Sequence, residues 1–538
     1  MTVVPFALAM LISPSAVEQL RRNIFDDTFA GIHELSWLDW SLLIPYFGIL
    51  IVLSIYGLHR VECIRRYYRH RRNAPKAPAR YFAQLPRVTV QLPIYNERFV
   101  VERLLEETLK LDYPRELLQI QVLDDSTDET HPFTERLVAA YRAQGHPIEY
   151  LYRGSRSGFK AGALQEGLKT ATGEFIAIFD ADFVPPPDFL KRTIHYFADE
   201  GVGVVQTRWT YFNRHFNLLT EIQTMLLDGH FVLEHGARST SGLFFNFNGT
   251  AGILRRKMIE DAGGWQHDTL TEDSDLSYRA QLRGWRFVYL PEIECPSELP
   301  VEMYGFQVQQ SRWAKGLTQV ALKLLPSILR APIPRRAKLE AFLHLTPNIS
   351  YPLMVIVSAL MLPVMIVRFY MGWVQMIVVD LPLIIASFWS ITAFYLAAQR
   401  ELDRRHWKRS LFFMPALFAA GVALTISNTR AVVEALIGVK TAFARTPKYA
   451  IGEKKIRLGQ PEYRRKSGWL PFLELAAGTW FLLMVLYAID TMNFLAIPFL
   501  LLFVGGYYWA GFGTLWQDCR TRLAWERRRA MELGSAAR

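Results

Sequence analysis

Long runs of apolar residues with charge only towards their ends recur through this chain, and they restrict its fold more than any other feature. A helix needs about 20 such residues to cross a hydrocarbon layer. A peptide group in lipid must be satisfied within its own segment, so a run of this kind has to be helical. The first is 37–58, WLDWSLLIPYFGILIVLSIYGL, and further candidates are 350–371, 374–398, 469–489 and 493–513. Between the first run and the rest, residues 80–310 read as ordinary mixed globular sequence.

The chain has 538 residues, enough for two or three domains, and a formal net charge of +11. That charge points first to nucleic acid, but no nucleic-acid motif accompanies it, and the basic residues cluster beside the apolar runs. HRVECIRRYYRHRR (59–72), QRELDRRHWKR (399–409), RRKSG (464–468) and RTRLAWERRR (520–529) are the pattern of loops retained on the cytoplasmic side. Counting 411–438 as a span would place the basic stretch 440–468 outside. The charge rule therefore predicts five spans, with 411–438 interfacial or re-entrant; six is the alternative. Segment 317–346 is amphipathic and broken by prolines, which predicts interfacial helices. The apolar VVPFALAMLI near the start has no basic residues before it and no clean cleavage site after it, so it reads as interfacial rather than as a cleaved signal. Cys63, Cys295 and Cys519 lie far apart, form no ligand cluster and are odd in number, which argues against a disulfide framework.

Within 86–300 the pattern alternates. VTVQL (88–92), LLQIQVLD (117–124), IEYLYR (148–153) and EFIAIFD (174–180) are rich in strand formers. Helical patterns lie between them at 97–111, near 131–143 and from Lys160. Such alternation predicts a mostly parallel sheet covered on both faces. Ligands of such sheets bind beyond the carboxyl ends of the strands.

LPIYNE follows the first strand, DDSTDE the second and DAD the fourth, so all three fall at one edge. Asp180 and Asp182 leave the tip of an apolar strand together, and two carboxylates there suit a hard divalent cation. SGFKAGALQEGL (157–168) combines a glycine turn with a helix start, from which Lys160 can reach phosphate oxygens. In TEDSDL (271–276), Asp273 is spaced to project from a helix start and take a proton from an attacking hydroxyl. The same residues alone would equally make an acidic helix start capped by Thr271. In FFNFNGTAG (244–252), Gly249 allows close backbone approach. QQSRW (309–313) sets an amide, a cation and an indole at the edge of the apolar half.

The ordered set resembles the membrane-bound family 2 glycosyltransferases, which include cellulose, chitin and hyaluronan synthases. It is most similar to the cellulose-synthase-like mannan and glucan synthases. The likeness covers most of 86–320 through QLPIYNE, QVLDDSTDET, KAGALQEG, AIFDADF, FNFNGTAG, GGW, TEDSDLSYRA, GWRFVYL, ELP and QQSRW. It implies a cytoplasmic α/β GT-A (Rossmann-like) catalytic domain joined to an α-helical transmembrane domain with interfacial helices. The expected division is 1–79 with the first span, 80–316 catalytic, 317–346 interfacial, 347–513 channel region and 514–538 cytoplasmic tail.

Carried onto matching positions, the resemblance implies that Asp125 contacts the donor nucleotide, Asp180 lies beside it and Asp182 holds Mg²⁺ or Mn²⁺. Asp273 would be the general base. Gln309 and Arg312 would hold the leaving diphosphate and Trp313 would stack on the acceptor sugar, where arginine supplies charge and indole an apolar plane. FARTPKYAIG (443–452) resembles the family's gating loop, with Thr446 and Lys448 as phosphate contacts; TPK departs from the commoner pattern there. The implied reaction is processive, inverting polymerisation of a β-linked, β-1,4 expected, mannan, glucomannan or glucan. The donor would be GDP-mannose or UDP-glucose, the acceptor the growing polysaccharide, and the setting a lipid bilayer, with no nucleic acid. Single transfer to a ceramide or polyprenyl-phosphate acceptor is the enzymatic alternative, and a ligand-binding membrane scaffold the non-enzymatic one. The compact termini and lack of long insertions predict a bacterial-type inner or plasma membrane.

Overall fold

The computed structural model describes residues 33–75, 77–369, 381–440, 446, 448–449, 468–491, 493–494 and 496–536. Helix α1, Trp37–His70, begins at a capping box in which Ser36 and Asp39 satisfy each other's backbone amides. It continues past the apolar run into the basic segment without a break. Trp37, Ile44, Ile51 and Ile55 along it are exposed, as a lipid-facing surface requires.

The chain then builds a seven-stranded sheet in the order β3-β2-β1-β4-β6-β5-β7. The strands are β1 (Val88–Ile94), β2 (Leu118–Asp124), β3 (Ile148–Tyr152), β4 (Phe175–Ile178), β5 (Val202–Tyr211), β6 (Gly252–Arg255) and β7 (Arg286–Ser297). β6 runs antiparallel to both neighbours and the other pairings are parallel. The predicted α/β class holds, and the sequence pattern had marked only the first four strands.

Period-two alternation splits the strand side chains between two cores. Phe175, Ala177 and Phe179 join Val90 and Leu92 against α2 (Val101–Leu109) and α3 (Thr130–Ala143). Ile176 and Ile178 join Leu254 and Met258 against α4 (Phe159–Thr170). Polar residues interrupt β1 and β2 on that second face, and each finds a partner. Thr89 Oγ1 donates to Gln119 Oε1 at 2.8 Å, and Gln91 Nε2 to Gln121 Oε1 at 3.1 Å. Gln119 and Gln121 in turn donate to Thr170 at the end of α4, so each buried amide nitrogen of the row has an acceptor, while Gln91 Oε1 is left without a donor.

Helix α5 (Leu218–Asp228) passes directly into a π-helical stretch, Gly229–His235. Helix α6 (Glu272–Leu282) precedes β7. Helix α7, Met303–Arg330, is a single amphipathic helix of 28 residues that crosses the expected domain boundary at 316. α8 (Arg335–Leu345) folds back on it, and Tyr278 of α6 hydrogen-bonds His344 of α8 at 2.6 Å.

The apolar half contains α9 (Ser350–Phe369), α10 (Ser390–Leu402), α11 (Met414–Ala423), α12 (Thr425–Leu436), α13 (Leu470–Asp490) and α14 (Ile497–Ala536). Among the described residues, five helical stretches are long and apolar enough to cross a membrane: Trp37–Asn73, Pro347–Arg368, Trp407–Leu436, Leu470–Asp490 and Ile497–Glu526. Of the expected span 374–398, residues 374–380 lie outside the described residues, and the remainder is broken by a π-helical turn, Ile385–Trp389. Residues 411–438 are divided at Leu424, and α12 packs along α7, where Ser311 bonds Asn428 at 3.1 Å and Lys315 bonds Glu434 at 2.8 Å. α14 runs unbroken past residue 513, the expected end of the channel region. The apolar segment near the start and most of 440–468 lie outside the described residues.

Candidate active site

A cleft of about 1310 Å³, including its open mouth, lies at the carboxyl ends of β1, β2 and β4. Its walls carry all eight side chains expected of the site (Asp125, Lys160, Asp180, Asp182, Asp273, Gln309, Arg312 and Trp313), together with Thr446 and Lys448.

The loops after β1 and β2 are tied to each other. Asn96 adopts a left-handed backbone (φ 54°), its amide donates to Ser126 Oγ at 2.8 Å, and its Oδ1 accepts from the Thr127 amide at 2.8 Å. Asn is one of the few residues that tolerates this conformation. Asp125 lies between β2 and Ser126, and Arg153 just after β3 grips both its oxygens, at 2.7 and 2.5 Å. The planar guanidinium fixes the carboxylate plane.

Gly158 (φ 72°) turns the chain into α4, and Lys160 in its first turn crosses to the end of β4. There Nζ donates to Asp180 Oδ1 at 2.6 Å and to the Gly249 carbonyl at 2.9 Å. Asp182 Oδ2 accepts from Ser297 Oγ at 2.8 Å, and Lys448 hydrogen-bonds Asp182 Oδ1. Desolvation works to raise the Asp182 pKa, but the Lys448 ammonium and the Ser297 hydroxyl outweigh it and hold the carboxyl below its ordinary value. Asp180 and Asp182 thus present hard oxygen donors to the cleft, and each already meets an ammonium group. A divalent cation fits that donor set.

Asp273 lies one residue into α6. Gly249 holds the opposite wall with φ 84°, and a Cβ there would come within 2.9 Å of Asp273 Oδ2. The loop carrying FNGT therefore reaches Asp273 only because that residue is glycine. Burial, then the neighbouring Glu272 carboxylate, pushes the Asp273 pKa up to about 7, while Lys160 pulls it back. Burial raises Glu272 as well. The Thr271 side chain accepts no capping hydrogen bond from the first-turn amides of α6, and its hydroxyl is buried without a partner. The acidic turn is therefore not explained as a helix cap.

Gln309, Arg312 and Trp313 stand at i, i+3 and i+4 on α7 and so share one face of the helix. Burial lowers the Arg312 pKa, opposed by Asp180, Glu272, Asp182 and Asp273. Three contributors were not singled out from the sequence. Glu97 lies 3.3 Å from Lys448, Arg153 clamps Asp125, and Ser297 supports Asp182. Glu97 and Arg153 end quoted motifs, whereas Ser297 carried no signal, because only the pairing of β7 with β5 brings it to Asp182.

Residues 86–316 match the family described as glycosyltransferase like family 2. Glucomannan 4-beta-mannosyltransferase 2 of Arabidopsis thaliana is 44% identical over 253 residues, covering 46% of this chain and 47% of that protein. Glucomannan 4-beta-mannosyltransferase 1 of Oryza sativa subsp. japonica is 43% identical over 250 residues, covering 46% and 48%. The chain thus spans about half the length of the curated relatives it matches. Among solved structures, the mannosyltransferase PcManGT from Pyrobaculum calidifontis in complex with GDP-Man and Mn²⁺ has a TM-score of 0.49 at 24% identity, covering 67% of this chain and all of that one.

Proposed function

We infer that this chain, whose residues 86–316 match the family described as glycosyltransferase like family 2, is a membrane-seated hexosyltransferase that extends a β-1,4-linked mannan or glucomannan from GDP-mannose. The observation that carries this reading is the convergence of Asp180, Asp182, Asp273, Arg312 and Trp313 on one cleft beside the apolar helices. The donor and linkage are drawn from the names of the plant relatives, glucomannan 4-beta-mannosyltransferases. UDP-glucose is the competing donor.

In this reading Asp125, held by Arg153, contacts the nucleotide, and Lys160 and Asp180 border the diphosphate. Asp180 and Asp182 would hold Mg²⁺ or Mn²⁺, which supplies positive charge for the departing diphosphate. Gln309 and Arg312 bind that diphosphate from α7, where a buried guanidinium stabilises developing charge better than one in water. Asp273, with a pKa near neutrality, takes the proton from the acceptor hydroxyl as that oxygen attacks the anomeric carbon. Attack opposite the leaving group inverts an α-linked donor to a β-linkage. Trp313 offers the acceptor ring a flat apolar surface. In the same reading the catalytic domain faces the cytosol, which the basic residues beside the apolar helices support, and the product passes into those helices.

The test is incubation of the purified chain with GDP-mannose and UDP-glucose in parallel, with and without Mn²⁺. Release of GDP and a product that an endo-β-1,4-mannanase degrades would establish the reading. A single hexose on lipid would replace it with the lipid-acceptor alternative, and absence of nucleotide release would favour the scaffold.

A further inference from the structure

Each carboxylate of the Asp-x-Asp pair is closed by a lysine, but the two lysines come from very different places. Lys160 lies on the catalytic domain's own α4 and is shared with the Gly249 carbonyl. Lys448 arrives from the far end of the chain, 266 residues beyond Asp182, and lies 3.3 Å from Glu97 as well. It is not a loose surface side chain, since its exposure is 16%. Against the desolvation that would lower its pKa, Asp182 and Glu97 raise it, so the ammonium stays charged.

The backbone beside it is anchored. The Tyr449 amide donates to Glu298 Oε1 at 2.7 Å, and its hydroxyl to Glu302 Oε2 at 2.5 Å. Glu302 also accepts from Gln517 at 2.7 Å and from Arg520, both on α14. A fixed cation therefore already occupies Asp182 Oδ1, while Ser297 takes the other carboxylate oxygen.

Resting on the family 2 reading above, we propose that Lys448 is a resident counter-ion of Asp182, which keeps a divalent cation from binding alone and yields its place when metal and nucleoside diphosphate arrive together. Two cations at one carboxylate repel strongly in a site shielded from water. The incoming diphosphate removes that penalty, because it brings negative charge for both the divalent ion and the displaced ammonium. Metal and nucleotide then bind as a coupled pair, each tightening the other by the same factor. Lys448 would thereby serve the empty site and the loaded site with different partners.

The test uses the full-length chain in detergent micelles and Mn²⁺ alone, with free Mn²⁺ followed by electron paramagnetic resonance. GDP and UDP are then added in parallel. The wild type is expected to bind Mn²⁺ weakly until nucleotide is present. Lys448→Met is expected to bind Mn²⁺ alone about tenfold tighter or better, and to lose most of the tightening by nucleotide. Equal Mn²⁺ affinity of the two proteins without nucleotide would overturn the proposal. Asp182→Asn separates the two levels of the argument. If it binds Mn²⁺ as the wild type does, the metal assignment itself fails. If it loses Mn²⁺ while Lys448→Met gains nothing, only the counter-ion role fails. A melting curve for each variant confirms that the chain is folded.

Discussion

Gly316 of α7 passes so close to Thr271 that a Cβ on the glycine would meet the Thr271 amide nitrogen at 2.9 Å and its Cγ2 at 2.5 Å. Thr271 immediately precedes Glu272 and Asp273, so the helix carrying Gln309, Arg312 and Trp313 rests directly on the turn that positions the candidate base. Gly316→Ala is expected to push that turn away. Activity should fall by roughly tenfold to a hundredfold, the scale expected when a reacting group is misplaced by about an ångström, while the melting temperature drops only a few degrees. Rates of nucleotide release measured beside melting curves check this; unchanged kinetics would mean that the contact relaxes harmlessly.

Asp273 supplies a pH signature. As a base it must be ionised, and its pKa of about 7 predicts that kcat/KM climbs with pH up to neutrality and then levels. Asp273→Asn should lower transfer by about 10² to 10⁴ while leaving nucleotide binding intact. The same pKa bears on stability. The folded group holds its proton to higher pH than the unfolded one, so the cost of ionising it grows as pH rises from the unfolded value and is complete above about 7. Asp273→Asn should therefore raise the melting temperature at pH 8 more than at pH 5.

Lys160 links the candidate metal site to the candidate base. Its ammonium bonds Asp180 and also lowers the Asp273 pKa. Lys160→Met is expected to move the acidic limb of the pH profile to higher pH, in addition to cutting the maximal rate by about 10² or more. A rate loss with no change in the limb would restrict Lys160 to donor binding.

Arg238, on a short helix after the π-helical stretch, is 2% exposed and lies 3.0 Å from Glu340 of α8 and 3.7 Å from Glu234. Against desolvation, His59, Arg238 and their hydrogen bonds hold Glu340 below its ordinary pKa. Replacing Arg238 with Met leaves buried carboxylates short of a counter-charge, which costs about 3–5 kcal/mol. The expected result is a sharp loss of folded protein in size-exclusion profiles, with no specific change in nucleotide affinity in whatever remains folded.

How far the sequence could be read depended on whether a signal was local. Strand tips such as LPIYNE and DAD were visible because an apolar strand ends where polar residues begin, and the eight expected side chains do meet in one cleft. β5, β6 and β7 lack a clean period-two signal: VGVVQTRWTY opens on an apolar run containing a glycine, GILR is only four residues, and RFVYLPEIECPS is interrupted by prolines. Ser297 was invisible for a different reason: only the pairing of β7 beside β5 brings it to Asp182. The domain boundary drawn at 316 followed composition, whereas α7 is held as one helix by partners on both sides, Thr271 of the catalytic domain and the Asn428 and Glu434 face of α12.

That uninterrupted helix has a geometric corollary. Adding a single residue to an α-helix turns everything beyond it by about 100°. One residue inserted between Trp313 and Val320 would leave Arg312 in the cleft but swing Val320 and Leu324 out of their core with Tyr278. Length at this junction is thus not a free variable: the half that carries the cleft and the half built of apolar helices are geared to a common pitch.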